Sequence, residues 1–190
     1  MSRLFRRPVT WVVVSVVVVG AAVALYLFQP WKLFTHSRID EAAPVAAAPA
    51  APAPATPGAT TTASPQPRNE VLAQGQFVTQ EHPTSGTVQL IRLADGSRVL
   101  RLENFTTSDG PDVHVWLSDA PAGGPDGSYD DGRYVKLGKM KATEGNQNYP
   151  IPADAKVDGL RSAVIWCDRF NVAFGSAPLT FAPGASADPR

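Results

Sequence analysis

Apolar and polar positions divide the chain into three textures. Residues 9–28 carry no charge and are almost wholly apolar. Residues 35–68 are dominated by Ala, Pro and Thr, with almost no large apolar side chain. From residue 71 onward, short runs alternate apolar with polar and are broken by turn residues every eight to twelve positions, which is the texture of a β protein.

In this third part, 76–80 reads as a first strand. Residues 87–93 and 98–103 flank Asp95-Gly96, a dipeptide suited to a tight hairpin turn. Residues 112–118 alternate cleanly: Val113, Val115 and Leu117 on one side, Asp112, His114 and Trp116 on the other. Further strands are expected at 134–137, 148–151, 163–167, 170–174 and 179–181, and 123–132 is a Gly/Asp loop. No stretch after residue 31 keeps helical periodicity for three turns. The expectation is an all-β domain over 70–182, an antiparallel sandwich or barrel-like fold.

The strand at 163–167 holds the only cysteine of the chain, Cys167. Ala163, Ile165 and Cys167 share one face, and Val164, Trp166 and Asp168 the other. A polar corner at Asp168-Arg169 is expected to turn the chain into the next strand.

Charge separates the same parts. Residues 1–68 carry six Lys/Arg and two acids; residues 70–182 carry ten Lys/Arg and fourteen acids. A folded part with that balance has no electrostatic footprint for nucleic acid. One cysteine cannot make an intrachain disulfide, so the fold must stand on its core.

As a helix, 9–28 rises about 30 Å, the thickness of a hydrocarbon core. Trp11 near one end, and Tyr26 and Trp31 near the other, suit the two membrane interfaces. Arg3, Arg6 and Arg7 before the run predict residues 1–8 as a basic cytoplasmic tail, 9–31 as a single-pass anchor, and the rest outside the cytoplasm. The alternative is a signal peptide cleaved at Ala22-Val23-Ala24. Residues 32–69 are expected to be a disordered linker, extended by its Ala-Pro content to on the order of 100 Å, and 183–190 a disordered tail.

Cys167 is either a buried hydrophobe or chemistry: a thiol oxidised and reduced, a haem ligand, or a link to a second chain. His114 has Asp112 on its own face, so the carboxylate can fix the imidazole tautomer; the alternative is a polar pair on an outer sheet face. One site using both His114 and Cys167 is the specific expectation. Asp126, Asp130 and Asp131 do not have EF-hand spacing. Met140 is a conceivable iron ligand, though an apolar contact is its ordinary role. Two histidines in the folded part do not build a structural zinc site, and no metal is assigned. The absence of C-x-x-C, C-x-x-C-H and G-x-S-x-G gives no reason to propose a thioredoxin-type site, covalent haem or a serine hydrolase.

Asn104-Phe105, GPDVHVWLS (110–118), LGKMKATEGNQNYPIP (137–152) and AVIWCDRFNVAFGSAPL (163–179) together resemble the DM-thirteen electron-transfer domain, in its bacterial membrane-anchored form. The resemblance covers most of 75–181, with several motifs in the same order. It implies an extracytoplasmic redox module rather than an enzyme with its own substrate. Its signature cysteine matches Cys167, as a bare thiol or holding a group such as haem. Its Pro-Asp and His positions match Pro111, Asp112 and His114. Trp116 stands where Tyr is common. No cytochrome domain accompanies it here, so the resemblance implies a separate redox partner. The rival reading is a cell-envelope binding or scaffold domain with a structural cysteine.

Overall fold

The structure is a computed structural model and describes residues 8–45 and 68–186. Helix α1, Pro8–Phe28, is built from the Val-rich run; its side chains are exposed on every side, and it is long and apolar enough to cross a membrane. Gln29 adopts a left-handed backbone (φ 42°), and a 3-10 turn, Pro30–Phe34, follows.

Among the described residues, eleven strands form two facing sheets. They are β1 (Arg38–Asp40), β2 (Glu70–Gln76), β3 (Val78–Thr79), β4 (Ser85–Arg92), β5 (Arg98–Thr106), β6 (Val113–Ser118), β7 (Tyr134–Lys139), β8 (Glu144–Ile151), β9 (Ser162–Cys167), β10 (Val172–Pro178) and β11 (Thr180–Phe181). One sheet runs β1-β8-β5-β4-β2-β11; the other runs β3-β10-β9-β6-β7. All pairings are antiparallel except β1 with β8. The expected β sandwich is therefore the observed fold.

The core lies between the sheets, because alternate residues of each strand point inward. Leu72, Val88, Leu90, Leu100 and Leu102 from one sheet meet Val115, Leu117, Ile165, Cys167 and Phe174 from the other. A second cluster, Trp116, Tyr129, Val164, Trp166 and Ala173, lies on the outer face of β6 and β9. The Gly/Asp loop covers it: Tyr129 is fully buried, its hydroxyl bonds Gln80 and Ser176, and the Asp126 carbonyl accepts from the Ala173 amide.

The hairpin around Asp95-Gly96 is present, with Gly96 in the left-handed region (φ 86°). Four expectations are corrected. The first strand, expected at 76–80, is two: the chain changes sheet at Phe77, whose ring packs into the core and whose amide bonds the Gly86 carbonyl. The strand expected at 170–174 starts at Val172, because 168–171 form the turn, with the Phe170 and Asn171 amides both donating to the Cys167 carbonyl and Asn171 left-handed (φ 56°).

The third correction concerns the linker expected over 32–69. Arg38–Asp40 pair in parallel with Glu144–Asn146. Ser37 exchanges hydrogen bonds with Thr143, Asp40 accepts from Asn146, and Glu41 from Lys141 and the Asn148 amide. The close approach needs Gly145, left-handed at φ 101°: a Cβ there would run into the Ile39 carbonyl. The rest of that linker, 46–67, lies outside the described residues, as do the basic tail at 1–7 and the last four residues. The start of the expected C-terminal tail is engaged: Ala185 packs against the core and the Ser186 hydroxyl donates to Asp158.

Candidate functional site

β6 and β9 are register partners, with Val113 opposite Cys167 and His114 opposite Trp166. Asp112, just before β6, and Asp168, just after β9, therefore stand side by side, and the Asp168 amide donates to the Asp112 carbonyl at 3.0 Å. Both carboxylates converge on one imidazole: His114 Nε2 is 3.0 Å from Asp112 Oδ1 and 3.6 Å from Asp168 Oδ2.

Two lysines of β7 complete the cluster. Lys139, opposite His114 in the register, reaches Asp112 at 3.3 Å; Lys136 reaches Asp168 at 3.3 Å and lies over the Trp116 ring, 4.5 Å from its centre. Charges thus nearly cancel around the imidazole. The hydrogen bond from His114 holds the Asp112 carboxyl below the usual 3.8; partial burial opposes this and Lys139 reinforces it.

The cluster is half-buried and open to solvent on one side. Asp112, His114 and Asp168 each offer one ligand atom, all within 4.8 Å of one another, a spacing that a divalent cation can bridge. It is the metal-type grouping found among the described residues; Asp126, Asp130 and Asp131 form none. As it stands, the lysines already neutralise the carboxylates that a cation would use.

Behind the cluster is an aromatic stack. Trp116 lies 4.7 Å from Tyr134 and 4.9 Å from Trp166, both stacked, and Trp166 meets Tyr129 edge-on. The buried Nε1 of Trp116 has no hydrogen-bond partner among the described residues. Tyr134 is the exposed end of the stack.

Cys167 is elsewhere. Its side chain faces the inter-sheet core with Ala163 and Ile165 and is 0 % exposed. The structure brings His114 and Asp112 together, adds Asp168, and leaves the sulfur on the opposite face of the same sheet. The sequence placed Asp168 at a corner and on the face of Trp166; what brings it to His114 is the β6–β9 register, which links positions far apart in the chain.

A haem at Cys167 does not fit this interior. The sulfur is enclosed by core side chains, and Val113 and Val172 are its strand partners. A cavity of about 720 Å³ lies between β2, β4 and β11, lined by Val71, Gln76, Val88 and Phe181 and not by Cys167. Met140 packs against the core, in its ordinary apolar role.

Residues 76–179 match the model of the family described as Electron transfer DM13. The chain belongs to that family. The span of this DM-thirteen domain covers β3 to β10 and includes Asp112, His114, Cys167 and Asp168, while β1, β11 and nearly all of β2 lie outside it. Neither curated proteins nor solved structures give a match.

Proposed function

We propose that this DM-thirteen domain is an electron-transfer module carried outside the cytoplasm on α1 as a single-pass anchor, with Cys167 as its redox group. The observation that carries the reading is the placement of Cys167 inside the span matched to an electron-transfer family. Its burial narrows the mode. Thiol–disulfide exchange needs a second sulfur in contact with the first, and an enclosed sulfur denies that contact. One-electron exchange needs no second sulfur: the separate partner takes the electron, and the thiol proton released with it passes to solvent. Cys167 adjoins Trp166 in the chain, and Trp166 stacks through Trp116 to the exposed Tyr134, so a compact path leads from sulfur to surface. Asp112, His114 and Asp168 hold a polar, charge-balanced patch beside that path, where a change of charge is stabilised.

The three arginines ahead of α1 support an inside N-terminus and an outside domain. The redox partner, protein or small molecule, is separate from this chain.

A second reading has its own support. An apolar environment with no exposure is also where a cysteine simply fills space, leaving a scaffold or binding domain. Protein-film voltammetry on the detergent-solubilised full chain separates the two. A reversible wave that disappears in Cys167→Ala supports the redox group; a wave that survives moves it elsewhere; no wave in the native chain leaves the scaffold. Surface biotinylation of intact cells, reading the exposed Lys156, tests the outside placement.

A further inference from the structure

Strand β1 fixes how the sandwich stands relative to α1. Only residues 29–37 separate Phe28, the end of α1, from Arg38, the start of β1. Within that stretch, Lys32 Nζ donates to the Gly110 carbonyl at 3.0 Å and pairs with Asp109 at 3.5 Å, while Thr35 donates to Asp109 at 2.7 Å. Phe28 stacks on Phe170 at 5.8 Å. Every one of these contacts falls on the same end of the sandwich, the β5–β6 connection and the β9–β10 turn, which also carries Asp112, His114 and Asp168.

The Ala/Pro/Thr segment does not set this distance. Asn69 Nδ2 donates to the Pro44 carbonyl at 2.8 Å, so the chain departs after β1 and returns before β2 at one place. A segment whose two ends are joined to the same body is not a spacer between that body and the helix.

The chemistry of this end suits a lipid surface. Phe170 is 42 % and Trp31 51 % exposed, and next to Phe170 in the chain Arg169 is an exposed cation. Aromatic rings settle at the headgroup level, and cations are drawn to anionic headgroups.

We infer that the sandwich rests end-on against the lipid headgroup surface, latched by β1, with Phe170, Arg169 and the His114 cluster toward the bilayer. This rests on α1 being a membrane span. The partner of this face is an anionic lipid surface, and the expected long tether is replaced by direct contact.

The test uses the full chain in vesicles of phosphatidylcholine and an anionic lipid, with a nitroxide on the headgroup. A single fluorophore is placed by Arg169→Cys or, at the far hairpin, by Asp95→Cys, each in a Cys167→Ala background. Strand β5 spans Arg98–Thr106, so the two ends lie about 30 Å apart. The expected result is several-fold stronger quenching at 169 than at 95, unchanged when 46–67 is replaced by a short Gly/Ser loop, and reduced when Gly145→Val forces β1 off. Equal quenching at the two positions, or a contrast that follows the length of 46–67, overturns the proposal. Failure of the chain to sediment with cell membranes defeats the anchor reading instead, and the voltammetry is independent of both.

Discussion

Cys167 and His114 occupy neighbouring strands and face opposite sides of the sheet they share. Val113, not His114, is the register partner of Cys167, and the sheet itself stands between imidazole and sulfur. The chemistry of the two residues is therefore separable.

Native Cys167 is expected to be silent to a thiol reagent such as dithiobisnitrobenzoate and to react fully in denaturant. His114→Ala leaves the native rate unchanged within twofold. A fast native reaction, or one that His114→Ala alters tenfold, contradicts the enclosed sulfur.

Replacing Cys167 separates packing from polarity. Cys167→Ala is expected to cost about 1 kcal/mol, the scale of a small cavity. Cys167→Ser has nearly the same shape but buries a hydroxyl, and is expected to cost about 1–3 kcal/mol when the hydroxyl finds no partner. Urea titration of the three proteins gives the order native, Ala, Ser.

Asp112 makes the fold acid-sensitive in a defined window. Its folded pKa lies below 3.8 because the carboxylate accepts from His114, with Lys139 reinforcing. The stability it contributes is present above about pH 4 and is lost as pH falls through the folded value. Denaturation midpoints between pH 5 and 2 should fall more steeply for the native protein than for Asp112→Asn.

His82 acts at higher pH. Its ring lies 3.9 Å from that of Phe174, and burial holds its pKa below 6.5 against a weaker opposing pull from Glu81. The fold thus favours the neutral ring, and stability declines as pH drops below 6.5. His82→Phe keeps a ring against Phe174 and should flatten the thermal midpoint between pH 7 and 5.

Where a short-range signal existed, the sequence carried the fold: Asp95-Gly96 specified a hairpin, and the alternation from Val113 to Ser118 specified both faces of β6. That Cys167 shares a face with Ala163 and Ile165 was legible too, from period two; which face meets the inter-sheet core was not, because every residue of β9 is buried. What alternation along one strand cannot supply is register between strands, and register is what places Asp168 beside His114 and Val113 opposite Cys167. Strand β1 was illegible for another reason. Arg38-Ile39-Asp40 is too short to show a period, and its stability comes from bonds to residues near 144, about a hundred positions away. An Ala/Pro/Thr composition downstream made the whole region read as tether.

The pairing of β1 with β8 also closes a sheet margin. Without Arg38–Asp40, the outward amides and carbonyls of Glu144–Asn146 would be bare, an open template for another strand. A recombinant fragment begun at residue 69 keeps the whole family span yet uncovers that margin, and it should self-associate with rising concentration in sedimentation velocity. A fragment begun at residue 36 carries its own cover and should stay monomeric.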